Sequence, residues 1–202
     1  MFPLGTVLLP HAVLPLHVFE PRFRALTRDV LDGDQEFGVV LIERGSEIGG
    51  GDVRFGVGTI GHIVQASALP DGRFAIAVVG VSRFRVERWL PDEPYPRAEI
   101  VELAEPPATA DAVTLVDAVR RALREVYELS GRVKGVPATA EIQLSPDPEQ
   151  AAYEVAALAA LGPLDAQRIL ELPDTEARLR LLGDLLADTA TILRARLDES
   201  GD

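Results

Sequence analysis

Two different spacings of apolar residues divide the chain near Leu103. Before that point, β-branched and aromatic residues alternate with polar ones between glycine-rich turns, which is typical of strands. After AEPPATA, residues 104–110, the chain is rich in alanine and leucine, with apolar residues three and four positions apart. That spacing is typical of amphipathic helices. The pattern therefore predicts a β-rich domain over residues 1–104 and a helical bundle over residues 105–202.

The first half contains several long strand-like runs and a clear hairpin signal. EFGVVLI, residues 36–42, is apolar on both faces, as expected for a strand that is covered on both sides. FGVGTIGHIV and RFAIAVVGVSRFRVERW flank LPDG, whose proline and glycine favour a tight turn. YPRAEIVEL offers one further strand. Because no regular alternation of strands and helices is present, we expect an α+β fold with a mostly antiparallel, curled sheet or small barrel.

Helix starts can also be located from the sequence. Glu20 precedes Pro21, which can open a helix at its first position, and apolar residues then continue at helical spacing. In the second half, SPDPEQAA places Asp147 as an N-cap and Pro148 at the first helical position. Pro163 and Pro173 separate two more predicted helices.

Charge and composition argue against a nucleic acid partner and against contact with a membrane. The chain of 202 residues carries 20 basic and 32 acidic residues, a net charge of −12, and neither predicted domain is basic. Such a field repels phosphate backbones, so no nucleic acid partner is expected. No apolar run approaches the roughly 18 residues of a membrane-spanning helix, and the start lacks the features of a signal peptide. We therefore expect a cytoplasmic protein that does not contact a membrane.

The usual catalytic and ligand-binding motifs are missing from the sequence. Without cysteine there is no thiolate metal site, and the three histidines never occur as HxxxH or HExxH. The glycine-rich RGSEIGGGD, residues 44–52, lacks the GK[ST] ending of a phosphate-binding loop, and no GxSxG is present. We expect no catalytic residues, no metal and no cofactor. A site assembled from dispersed residues remains open, and with it an enzyme.

Three blocks of the first half resemble a known family. FPLGTVLLPHAVLPLHVFEPRFRAL, DVLDGDQEFGVVLI and VGTIGHIVQASALPDGRFAIAVVGVSRFRV are similar, in order and spacing, to the N-terminal substrate-binding domain of Lon-type ATP-dependent proteases. LGPLDAQRILELPDTEARLRLLGDLL is similar to the helical bundle that follows in that family. The resemblance implies a PUA-like β-barrel followed by a helical bundle. It also implies that Pro15, Phe19, Pro21 and Phe23 are structural.

The resemblance implies a binding function and no catalysis. Lon proteases continue into an ATPase module and a serine-lysine peptidase domain, and no residue here matches the motifs of either, so a stand-alone substrate-binding protein is expected. Its expected ligand is unfolded polypeptide or a partner protein, and it could serve as an adaptor. RNA binding is the alternative because PUA-like barrels bind RNA in other families, although the acidic balance argues against it.

Two places in the first half are candidates for contact with a partner. Trp89, the only tryptophan, follows a polar strand face that also carries Arg83 and Arg85, and tryptophan is enriched at interface hot spots. Packing inside the fold is an equally good interpretation of Trp89. Glu47 and Ile48 lie in the glycine-rich loop, which could become ordered on a partner.

Overall fold

A computed structural model describes residues 1–47, 51–136 and 142–200. The element order matches the predicted change from strands to helices, with one short helix inside the β-rich half. The elements are β1 (Phe2–Leu4), β2 (Val13–Val18), α1 (Pro21–Leu31), β3 (Glu36–Arg44), β4 (Val53–Ala68), β5 (Phe74–Leu90), β6 (Arg97–Leu103), α2 (Ala110–Lys134), α3 (Pro148–Leu158), α4 (Pro163–Glu171) and α5 (Thr175–Ser200).

All six strands form one sheet, in the order β1-β3-β4-β5-β2, with β6 also paired to β5. Only β1 and β3 run parallel, and the other pairs are antiparallel. The LPDG turn joins β4 to β5 as predicted, and Gly72 takes a positive φ of 77° there. The α+β class is confirmed. The expected barrel is not closed, because no ladder joins β1 to β2 within the described ranges.

Gly80 marks an irregularity in the long β4–β5 hairpin. The β4–β5 register shifts between the pairs Thr59↔Arg83 and Gly61↔Gly80. The segment between β1 and β2 approaches β5 here, since a Cβ atom on Gly80 would lie 2.2 Å from the carbonyl oxygen of Leu9. Glycine therefore allows two backbone segments to come together at this point.

The helix α1 begins where the Glu-Pro pair predicts it. Glu20 is extended, with φ −67° and ψ 138°, and Pro21 occupies the first turn, where no backbone donor is needed. Phe23 and Leu26 point into the core of the sheet, together with strand residues of alternating position. The buried members of this core are Phe2, Leu4, Leu8, Val18, Phe23, Leu26, Phe37, Val39, Ile63, Ile76 and Val78.

The chain forms two compact units, and they do not follow a single cut. The sheet unit contains Met1–Ala104 together with Gly162–Glu171, and the helical unit contains Glu105–Leu161 and Leu172–Asp202. Helix α4 thus belongs with the sheet although it lies between two helices of the other unit in sequence. The division into domains 1–104 and 105–202 therefore stays a prediction. Helix α4 does not follow it, because this helix groups with the sheet unit.

Helix α4 is linked to the sheet by two side-chain hydrogen bonds and carries two buried apolar residues. Ile169 and Leu170 are 0% and 1% exposed. Arg83 of β5 donates from NH1 to the carbonyl oxygen of Leu170 at 2.8 Å, and Gln167 donates to the carbonyl oxygen of Val57 at 3.1 Å. Arg83 is only 2% exposed, so a charged residue on the predicted polar face of β5 is buried beneath this helix.

The helical unit is built from α2, α3 and α5, with leucines of α5 in its core. Leu179, Leu182 and Leu186 are at most 2% exposed, which places them on one buried face of α5. Asp147 caps α3 as predicted, since its carboxylate accepts from the backbone N–H of Glu149 at 2.9 Å.

A buried arginine crosslinks three segments of the helical unit. The guanidinium of Arg178 in α5 pairs with Glu105 at 2.9 Å and also donates to the carbonyl oxygen of Leu172 at 3.0 Å. The hydroxyl of Tyr153 in α3 donates to the same Glu105 carboxylate at 3.0 Å, and its ring lies 4.9 Å from the guanidinium carbon. Arg178 is 0% exposed, so its charge depends on these partners.

Candidate functional site

An apolar groove of about 350 Å³ lies in the sheet unit, where β1 and β2 both contribute residues to its walls. These strands stand at the two ends of the strand order, so the groove occupies the place where a closed barrel would join them. The residues around it are mainly aromatic, aliphatic and proline side chains. They are Phe2, Pro3, Leu4, Pro15, Leu16, His17, Val18, Phe19, Glu20, Phe23 and Glu47.

The groove has a floor of two buried aromatic rings and one exposed aromatic residue in its wall. The rings of Phe2 and Phe23 stack with centroids 4.2 Å apart and planes 12° apart, and both side chains are buried. Phe19 is 51% exposed because it lies between the buried end of β2 and the first residue of α1. The expectation that Phe19 is a structural residue stays a prediction, and about half of its surface is exposed beside the groove.

A polar rim borders the groove, formed by Glu20 and Glu47 and by Arg22, which bonds to both. Arg22 donates from Nε to the Glu20 carboxylate at 3.1 Å and from NH2 to the carbonyl oxygen of Glu47 at 3.0 Å. The Glu47 carboxylate accepts the backbone N–H of Gly5. Two carboxylates and one guanidinium give the rim a formal charge of −1, and the described residues that line the groove include no serine, threonine, cysteine or lysine.

Trp89 lies in a second cleft of the sheet unit, with a volume of about 440 Å³. The guanidinium of Arg54 lies 4.8 Å from the centre of its ring, so one face of the indole already carries a cation. Arg54 is fixed in turn by Asp52 and by Asp92, the latter at 2.8 Å. Trp89 is half-buried, which fits both a contact with a partner and packing inside the fold.

The ion pair beneath Trp89 changes the titration of Asp52. Burial alone would raise the pKa of this carboxyl, whose side chain is 1% exposed. The hydrogen bond and the positive charge of Arg54 outweigh burial and hold the pKa below its usual 3.8. The folded protein therefore binds this proton less readily than the unfolded chain does.

We expect a pH-dependent loss of stability from this pair. The contribution of ionised Asp52 is complete above pH 3.8 and is lost as pH falls through the lowered pKa. Asp52→Asn should therefore show a smaller fall in urea midpoint than the wild type between about pH 5 and about pH 3. Trp89 fluorescence provides the measurement. Parallel pH profiles of the two proteins would contradict this assignment.

The structure distributes the other predicted contact residues over different environments. Arg83 is buried under α4, which argues against a direct role in partner binding, whereas Arg85, two residues later on β5, is exposed. Glu47 is exposed on the rim of the groove, and Ile48 lies outside the described residues. Phe19 carried no usable sequence signal, because its exposure depends on the turn between β2 and α1.

Within the described ranges, no group of three or more His, Cys, Asp or Glu side chains is arranged to hold a metal ion. In the same part of the chain, no helix combines the length and the apolar character needed to cross a membrane.

Comparison with solved structures supports the fold. A Lon N-terminal domain protein from Xanthomonas campestris superimposes with a TM-score of 0.64 and 26% identity, covering 92% of this chain and 95% of that one. The N-terminal domain of the Mycobacterium avium complex Lon protease gives a TM-score of 0.63 at 22% identity, which shows similarity of fold alone.

Sequence comparisons find relatives that are also Lon proteases. Lon protease 2 of Myxococcus xanthus is 30% identical over 194 residues, and the Lon protease of Desulfovibrio desulfuricans is 31% identical over 201 residues. These matches cover 94% and 96% of this chain but only 23% and 22% of the relatives, so the chain spans about a quarter of their length. The family model of the substrate-binding domain of ATP-dependent protease La (Lon) matches residues 1–188, and the chain therefore belongs to the Lon substrate-binding domain family.

Proposed function

We propose that this chain is a non-enzymatic binding module that takes exposed apolar segments of unfolded polypeptide in the groove between β1 and β2. The observation that supports it is the half-exposed Phe19 above a buried aromatic floor, in a family whose model is described as substrate-binding. Ligand sites are commonly concave and lined mainly by hydrophobic and aromatic side chains with a few polar groups, as this groove is. The proposal includes the cytoplasmic location and the adaptor role expected from the sequence.

The absence of catalysis is part of the proposal. The matched portion of the relatives is their substrate-binding part, and the walls of the groove offer no activated nucleophile. ATP turnover and peptide cleavage are therefore not expected of this chain. RNA is a poor fit because the rim of the groove carries a net negative charge and the whole chain carries −12.

Loss of polypeptide affinity in a groove variant tests the proposal. Phe19→Ala should weaken binding of a fluorescently labelled unfolded protein by about tenfold or more, as expected for an interface hot spot. Val64→Ala is the matched control, because Val64 is 57% exposed and does not line the groove. Binding is measured by fluorescence anisotropy, with both variants first shown to be folded by circular dichroism.

Two further arms separate the alternatives. Trp89→Ala probes the second cleft, and a loss of affinity there with Phe19→Ala unchanged would move the binding site to that cleft. Single-stranded and structured RNA are titrated across a salt series, since electrostatic RNA binding weakens steeply with salt. Tight, salt-resistant RNA binding without affinity for polypeptide would overturn the proposed function.

A further inference from the structure

The free edge of β1 cannot donate a regular row of hydrogen bonds. β1 pairs with β3 on one side only, and its middle residue, Pro3, has no backbone N–H. The residue two positions after Pro3 is Gly5, and its N–H already donates to the Glu47 carboxylate. Backbone polar groups of alternate residues point to the same edge of a strand. An incoming strand would therefore find no free amide at either position.

The free edge of β2 is interrupted in the same way. Gly80 donates its N–H to the carbonyl oxygen of Ala12, so the even-numbered residues of this segment direct their backbone groups toward β5. The odd-numbered residues Val13, Pro15 and His17 consequently face away from β5. Pro15, at the centre of this set, has no N–H. Proline at such a position blunts an edge strand against pairing.

We propose that the groove holds polypeptide through side chains, without adding a strand to the sheet, and that it prefers an apolar side chain flanked by a basic residue. This inference rests on the proposed function and specifies which features of a polypeptide the groove recognises. Strand addition derives its affinity from main-chain hydrogen bonds. Here the two strands beside the groove place prolines where those bonds would form, and both prolines line the groove itself.

Charge complementarity accounts for the basic flank. The rim carries the carboxylates of Glu20 and Glu47, and the only guanidinium among them, that of Arg22, is engaged by Glu20 and by the Glu47 carbonyl. The rim therefore has a net charge of −1 inside a chain of −12. A lysine or arginine next to the inserted apolar side chain would meet attraction, whereas a glutamate would meet repulsion.

Backbone methylation of a peptide tests the main-chain part of the proposal. The probe is a short labelled peptide with phenylalanines flanked by lysines, made also in two forms that carry N-methyl groups on alternate sets of amides. We expect each methylated form to bind within about twofold of the parent, and a form with phenylalanine replaced by alanine to bind about tenfold or more weakly. A loss of about tenfold on methylating either set would overturn the inference in favour of strand addition.

A charge series completes the test. Replacing the flanking lysines by glutamate should weaken binding severalfold, and added salt should reduce the difference between the two peptides. Equal affinities of the two peptides at low salt would contradict the basic preference. If no peptide in the series binds, the proposed function fails together with the inference. If the parent binds but loses affinity on methylation, only the inference fails.

Discussion

Replacement of Arg178 by alanine is expected to lower the free energy of unfolding of the helical unit by about 3–5 kcal/mol. The guanidinium is 0% exposed and neutralises Glu105, whose side chain is only 20% exposed. Truncation takes this positive charge away from a largely buried carboxylate and also removes a donor from the carbonyl oxygen of Leu172. Urea denaturation followed by far-ultraviolet circular dichroism, which is dominated by helices, measures the loss.

Arg194 provides a matched control for this prediction. It lies on the same helix and pairs with Glu125, but both side chains of that pair are about half exposed. Exposed ion pairs contribute about 0–1 kcal/mol, so Arg194→Ala should leave the denaturation curve nearly unchanged. Equal losses in the two variants would mean that charge count, and not burial, determines the effect.

Replacement of Arg83 by alanine is expected to destabilise the sheet unit by about 2–3 kcal/mol. The change removes a charge-assisted hydrogen bond to Leu170 and the buried stem that packs beneath α4. Trp89 belongs to the sheet unit and is the only tryptophan, so its fluorescence reports the unfolding of that unit.

Arg85 is the natural control for Arg83. The two arginines are two residues apart on β5 and share a predicted face, but Arg85 is exposed. Arg85→Ala should change the fluorescence-detected midpoint little, because surface substitutions away from special features rarely exceed about 0.5 kcal/mol. A similar loss in both variants would show that α4 does not set the environment of Arg83.

Local signals allowed much of the fold to be predicted. The Glu20-Pro21 pair placed the start of α1, and Asp147 placed that of α3, because capping and proline geometry depend on neighbouring residues only. The LPDG turn fixed the β4–β5 hairpin for the same reason.

Long-range packing could not be predicted in the same way. Arg83 and Arg85 have the same residue type and strand parity, and only the packing of α4, about 80 residues later, buries one of them. Nothing in the apolar spacing of residues 163–171 indicates that this helix packs with the sheet. The groove is a similar case, because it exists only where the two end strands of the sheet contribute to one cavity. The sequence therefore carried no sign that Phe19 lines a groove. Glu47 was predicted as a partner contact because it lies in the glycine-rich loop, and its place on the groove was not foreseen.

Under the proposed function, the prolines of β1 and β2 would affect what happens to a bound polypeptide. Unfolded polypeptides are rich in segments that form cross-β aggregates, and an exposed strand edge can act as a template for their growth. Pro3 and Pro15 remove donors from the two edges that border the groove. A module that holds such segments beside blunted edges can concentrate them without seeding a fibril.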